Sequence, residues 1–459
     1  MSHRIIETDW PDFGAPALPP PLTREELAAR MAAIRVTMAE RGLDALVVYG
    51  DREHVGNILW ATGFDPRFEE ALLIIRPEGA PLLLAGNECL PYAAVSPAVA
   101  AGDIRAALCA SLSLISQPRG GEGFAAHFAR ELPEGGRIGA AGWKYWGPDE
   151  VEDPAHALDL PAVIADLLRG IGGEVLNAGE VFMHPGHGLR TTVTPDEIAR
   201  LEFANRMAAE ALTRIVFALR PGMVDFDAVE AGRIGGLPLG CHLTFAAGGR
   251  ARMGLTSPSG ERVTRGRPLS LNVGHWGANI CRAGWAAEGP EDLPAEAADY
   301  VEAFVAPYLA AMSAWCGLMR PGVRGGEVQA AMDARLKGFG VTLNPGHLIG
   351  ADEWISSPIF PGSELPLRPG MAMQCDVIPD HPVFGSTRME DGYVIADEAL
   401  ARALEAAHPE AMARIRARQE FMRARIGLDV PDTLLPLADT CGVVAPYLLA
   451  PRRVLTLRV

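Results

Sequence analysis

The stretch "LRPGMVDFDAV" (Leu219–Val229) returns in altered form as "MRPGVRGGEV" (Met319–Val328), and this repeat constrains the fold more than any other feature of the chain. Each copy follows a long helical pattern and precedes another, with proline and glycine breaking the first helix. Strands repeat in step. "RGRPLSLNVG" (Arg265–Gly274) and "RPGMAMQCDVIP" (Arg368–Pro379) each place a polar residue six positions after a turn glycine, Asn272 after Gly266 and Asp376 after Gly370. An internal duplication of roughly a hundred residues therefore builds this region from two αβ halves about a pseudo-twofold axis. Polar side chains of the two central strands are expected to converge at that axis.

Ahead of the repeat the texture differs. Five prolines between Pro11 and Pro21 forbid helix and withhold ladder hydrogen bonds, so residues 1–22 read as an extended arm. "TREE" makes Thr23 an N-cap with Glu26 completing a capping box, and a helix is predicted from there to about Gly42. "ALVVYG", "ALLIIRPEGAPLLLAG" and "RIGAAG" read as strands and "PAVIADLLRGIGG" as a helix, which is the alternation of a small α/β domain over 23–180. Thr194, Pro195, Asp196 and Glu197 open the next long helix. The predicted class is α/β (α+β), with a small N-terminal domain, a duplicated domain over 190–400 and an extension over 401–459. "RRVLTLRV" in that extension has a short strand pattern that could add an edge to a sheet. Phe304, Tyr308, Met312 and Trp315 recur at helical spacing and read as a core or dimer face.

Charge narrows the partners. Asp and Glu number 57 against 41 Lys and Arg, a formal net charge of -16, which opposes nucleic acid and anionic membrane. A small molecule, or a peptide, is the better substrate class. The opening residues carry no basic segment followed by an apolar one, and no run of eighteen apolar residues occurs, so the expectation is a soluble, cytoplasmic protein. The seven cysteines are scattered singly, which suits buried thiols better than disulfides or a zinc knuckle. "HPGHG" (His184–Gly188) lacks nearby carboxylates and reads as turn chemistry.

An ordered set of motifs then brings a resemblance. "GHLIG" with His347, "LRPGMAMQCD" with Asp376 and "STRMEDGYVI" with Arg388, Glu390 and Asp391 resemble the second half of the creatinase/aminopeptidase P/methionine aminopeptidase family, M24, with its "pita-bread" fold. "NILWATGF" (Asn57–Phe64) is similar to the N-terminal domain of the prolidase and creatinase branch. In the family's metallopeptidases two aspartates, a histidine and two glutamates hold a pair of divalent ions. By motif those places fall here on Asn272, Asn279, His347, Asp376 and Glu390, so both aspartates are asparagine. Two divalent ions need anionic oxygens that these amides do not supply, so the resemblance with this change implies no metal or at most one, held by His347, Asp376 and Glu390 with the Asn279 carbonyl.

Creatinase, a metal-free hydrolase of the same fold, also reads "LSLN" in its first strand, but its proton-shuttling histidine is missing here, with Leu255 or Thr256 around its place. His242 is favoured slightly over His275 as a substitute, since alternation turns His275 away from Asn272. Trp354 stands where metallopeptidases place a second histidine. "DEW" resembles the dimethylsulfoniopropionate lyase branch, in which Asp352 would be a base; read blandly, Asp352 and Glu353 are a solvated turn. Arg388 resembles an arginine that steadies the glutamates, with Asp391 or Glu390 as its partner.

The expectation is a creatinase-like hydrolase of a C–N bond in a small polar substrate. His347, Asp376, Glu390, Asp352 and His242 would be catalytic, and Asn272, Asn279, Arg388 and Trp354 would bind substrate. The alternatives are a single-metal Xaa-Pro aminopeptidase-like peptidase, a lyase, or a non-catalytic binding protein. The resemblance also implies a homodimer.

Overall fold

A computed structural model describes the whole chain except Met1, Ala15, Pro16, Ala17, Met253, Arg458 and Val459. Contacts divide it into two compact units, Met1–Pro20 with Thr192–Val459, and Pro21–Thr191. The chain opens with strand β1 (His3–Glu7), so part of the proline-rich arm is ordered as a strand.

In the unit Pro21–Thr191, Thr23 caps the helix Arg24–Glu40 by accepting from the Glu26 amide, as its sequence predicts. Six strands follow: β2 (Ala45–Gly50), β3 (Ala71–Ile75), β4 (Leu82–Ala85), β5 (Arg105–Leu108), β6 (Arg137–Ala141) and β7 (Glu174–Asn177). They form one sheet in the order β5-β4-β3-β2-β6-β7, in which β2, β3 and β4 pair antiparallel and the remaining pairs are parallel. Val47, Leu72, Phe128, Ile138 and Leu168 belong to its buried core. The unit runs past residue 180 to Thr191, and Arg190 Nη1 donates to Asn57 Oδ1 at 2.7 Å within it.

The other unit shows the repeat in its hydrogen bonds. The helix Pro195–Ala218, with Thr194 and Glu197 in a full capping box, and the helix Ala306–Leu318 each end at an Arg-Pro-Gly turn. Gly222 and Gly322 take φ values of +84° and +88°, the left-handed conformation that glycine alone adopts without strain. The Gly222 amide donates to Val263 at 2.8 Å and that of Gly322 to Leu367 at 2.9 Å. Val224 bridges Arg262, as Arg324 bridges Pro366. The two halves are thus built alike.

Two four-stranded sheets carry these halves. One is ordered β13-β10-β9-β8, from β8 (Thr244–Ala247), β9 (Pro268–His275), β10 (Ala278–Trp285) and β13 (Arg388–Glu390). The other is ordered β11-β12-β14-β15, from β11 (His347–Leu348), β12 (Ala372–Gln374), β14 (Gly392–Ile395) and β15 (Leu434–Pro436). The strand expected in "RRVLTLRV" is β16 (Arg453–Leu457); it pairs with β1 in a separate two-stranded sheet instead of extending a larger one. The helical run Ala295–Leu318 is long and apolar enough to cross a membrane. Here its Phe304, Tyr308, Met312 and Trp315 are core, each at most 1% exposed.

Candidate active site

Strand register decides which side chains meet. Asn272 on β9 lies opposite both Thr244 on β8 and Cys281 on β10, and Cys281 lies opposite Glu390 on β13. Side chains directly opposite share a face, so Thr244, Asn272, Cys281 and Glu390 form one row. Two residues along β10, Asn279 falls on the same face. Asn272 Nδ2 donates to Asn279 Oδ1 at 2.7 Å, and Asn279 Nδ2 donates to Glu390 Oε1 at 2.9 Å. The other sheet contributes His347, which pairs in register with Gln374. Gln374 Nε2 donates to the Asn279 carbonyl and approaches Glu390 Oε1 at 3.4 Å.

His347 is fully buried and faces two carboxylates. Its Nε2 lies 3.3 Å from Glu353 Oε1 and 3.9 Å from Asp376 Oδ2, while Nδ1 is 3.2 Å from the Leu348 carbonyl. Trp354 stacks on the imidazole with ring centroids 4.1 Å apart and planes 18° from parallel. Asn279 Nδ2 also reaches Glu353 Oε1, at 3.5 Å. Asn272, Asn279, His347, Asp376, Glu390 and Trp354 are therefore linked through direct contacts, with Glu353 and Gln374 as further members that the sequence reading did not assign.

Three expectations change. Asp352 is buried, so no solvated turn is present, and Glu353 is the residue that touches His347. Arg388 makes no ion pair among the described residues: its Nε approaches Ser386 Oγ at 3.3 Å and its Nη1 Cys281 Sγ at 3.4 Å. Asp391 instead pairs with the buried Arg282 at 2.8 Å and accepts from Thr440 Oγ1 at 2.6 Å. His242 is exposed, 2.9 Å from the Leu255 carbonyl, and is not brought into the cluster.

Electrostatics push the carboxyls apart. Burial drives Glu390 well above the usual carboxylate range, with Asp376 and Cys281 adding to it and Arg388 opposing. Burial also lifts Asp376, to about 6, against the pull of His347. Burial would raise Glu353 too, yet its hydrogen bond and charge interaction with His347 leave it below its ordinary value. For His347, burial disfavours the imidazolium, but Glu353 and Asp376 outweigh it and the pKa is raised.

Residues 199–397 match the sequence model of metallopeptidase family M24. The chain carries an M24 domain. M24 is a hydrolase family, and the M24 domain here is of that class. The prolidase of Pyrococcus horikoshii OT3 resembles the chain with a TM-score of 0.62 at 16% identity, covering 80% of this chain and 95% of that one. The Xaa-Pro dipeptidase of Bacillus anthracis gives 0.59 at 15% identity, over 81% and 96% of the two chains. Aminopeptidase PepP of Pseudomonas aeruginosa gives 0.56 at 18%, over 85% and 98%. At such identities the likeness establishes the fold: an N-terminal α/β unit and a pita-bread domain. No curated protein matches the chain in sequence.

A pair of divalent ions, which the resemblance to the metallopeptidases of M24 implies, does not fit the donors of this site. Divalent ions want several anionic oxygens. Asn279 turns its N–H, not its carbonyl, toward Glu390, and its Oδ1 is taken by Asn272. In the single-ion set of His347, Asp376, Glu390 and the Asn279 carbonyl, Asn279 Oδ1 already accepts from Asn272 at 2.7 Å. Among the described residues no three or more His, Cys, Asp or Glu side chains are grouped to hold an ion.

Proposed function

We propose that the chain hydrolyses a C–N bond in a small polar substrate, using its own carboxyl and imidazole groups for the proton transfers. One observation carries the reading: two carboxyls that share Asn279 as a donor, Glu353 and Glu390, have pKa values displaced in opposite directions. Carboxyls separated in this way suit a base and an acid working together at neutral pH. Glu353, ionised, takes the proton of a water as its oxygen adds to the carbon of the C–N bond. His347, protonated between Glu353 and Asp376, stabilises the oxyanion that forms. Glu390, protonated, gives its proton to the departing nitrogen, so the C–N bond breaks, a C–O bond remains and the amine leaves neutral. Asn279 holds both carboxyls in place.

The substrate's finer identity has two candidates. Structural neighbours named for Xaa-Pro bonds support a short proline-containing peptide. The creatinase-like reading, with a guanidino or amino acid substrate, rests on Asn272 and the "LSLN" strand. A panel holding Xaa-Pro dipeptides, guanidino acids and small amides, followed by amine release, tests both. Amine release from one class, lowered about 100-fold in Glu353→Gln with an unchanged melting temperature, supports the proposal. Ligands that raise the melting temperature equally in parent and Glu353→Gln, with no amine released, would make this a binding protein instead.

A further inference from the structure

We infer that this M24 domain has exchanged the pair of divalent ions for a built-in lattice of neutral donors, in which Asn272 orients Asn279, and Asn279 and Gln374 hold Glu390 through N–H groups. The inference deepens the proposed function in that Glu390 is the acid there, but it stands on donor chemistry and is tested without substrate.

The direction of the lattice is fixed from one end. The Thr244 backbone N–H donates to Asn272 Oδ1 at 2.7 Å, and a backbone N–H can only donate. Asn272 must therefore present Nδ2 to Asn279, Asn279 must present Oδ1 in return, and its Nδ2 is left for Glu390. Gln374 is fixed in the same way, because its Nε2 meets the Asn279 carbonyl, which can only accept. Two amide donors thus converge on Glu390 Oε1. An ion beside Glu390 would face the positive ends of these amides. Turning Asn279 to offer its oxygen would set two amide N–H groups against each other at Asn272 and leave buried donors unmade.

Charge agrees with geometry. Arg388, buried and with no carboxylate within ion-pair distance among the described residues, supplies fixed positive charge on the face of Glu390 and Asn272. Opposite-sign groups already surround the carboxyls, since His347 lies between Glu353 and Asp376. On the far face Arg282 binds Asp391 and the Cys281 and Glu390 carbonyls, at 2.8, 2.7 and 3.1 Å, and so anchors the strands that carry the lattice.

The experiment is metal stoichiometry of the purified full chain, by equilibrium dialysis against micromolar Mn2+, Co2+ or Zn2+ with elemental analysis, alongside melting temperatures with and without EDTA. The parent is expected to retain fewer than two ions per chain and to melt at the same temperature in EDTA. Asn272→Asp alone should lower the melting temperature by several degrees in any metal, because it sets a carboxylate oxygen against Asn279 Oδ1, which now lies 2.7 Å from an N–H. Asn272→Asp with Asn279→Asp should take up two ions and regain stability with them. Two ions on the parent would overturn the inference, with no variant needed to decide it. Two ions together with amine release would leave the proposed hydrolysis standing and remove only the lattice; fewer than two ions and no amine release would do the reverse.

Discussion

Asp376 sets the balance between stability and chemistry at the level of single residues. Its pKa rises from 3.8 to about 6, so the folded chain holds this proton more tightly than the unfolded chain does. Ionising it then destabilises the fold progressively as pH rises through that interval, and the full loss is present above it. Asp376→Asn should therefore gain on the order of 2 kcal/mol at about pH 8 and almost nothing near pH 3.5, while activity falls. His347 works in the same direction with pH, since its raised pKa gives stability that fades as pH climbs, and Glu353 at 3.3 Å keeps most of that in the variant. Urea midpoints at the two pH values check this; a variant less stable than the parent at pH 8 means Asp376 is not strained. Much of the cluster was legible, because a polar residue after a turn glycine in both halves marked Asn272 and Asp376. Cys281 and Gln374 were available by parity, two positions from Asn279 and Asp376, yet carried no signal of their own. Arg388 and Asp391 look like partners in sequence, but residues three apart on extended chain face opposite ways, and Asp391 meets Arg282 instead.

Elements were most readable where local chemistry fixes them. Thr23 and Thr194 cap their helices, and the two Arg-Pro-Gly turns close theirs, since these signals need only neighbouring residues. The helix Pro409–Glu420 illustrates the opposite case. Its Arg414 and Arg418 could have been a solvated face, but Arg414 donates twice to the fully buried Glu202, 212 residues earlier, at 2.8 Å. Arg418 Nη2 lies 2.8 Å from the same carboxylate, and its Nε donates to Asp439 at 2.8 Å. No local pattern encodes such a pairing. Removing the shared anion leaves the part-buried Arg414 without its carboxylate and the buried Arg418 with Asp439 alone, which is far more damaging than losing a surface pair. Glu202→Gln should destabilise the unit by about 3–5 kcal/mol, read as a lower urea midpoint. A loss under about 0.5 kcal/mol would mean water reaches the cluster and the helix is held by its apolar contacts alone.

At the scale of the whole molecule, the two ends of the chain are used together. Proline composition marked residues 1–22 as extended, but a strand and its distant partner cannot be matched from either segment alone. In the fold, β1 and β16 pair antiparallel in register from His3 with Leu457 to Glu7 with Arg453. Trp10 continues the seam, donating from Nε1 to the Pro451 carbonyl at 2.8 Å and packing edge-on against Phe217 at 5.7 Å. On its other side β16 is held by the Leu455 amide, which donates to Val444 at 2.9 Å. Deleting residues 2–12 should therefore open one edge of β16 without unravelling the site strands β9 and β10, which pair with each other and with β8 and β13. Each ladder bond is worth about 1 kcal/mol net, so the loss should be a few kcal/mol. Hydrogen exchange locates it: amides of Arg453–Leu457 should exchange faster by 10-fold or more, about the factor expected for each 1.4 kcal/mol of local stability lost. Amides of β2 and β3, in the unit Pro21–Thr191, should keep their protection. Faster exchange in both places would show that the arm supports the chain as a whole, and unchanged exchange in β16 would show that Val444 and its neighbours suffice to hold it.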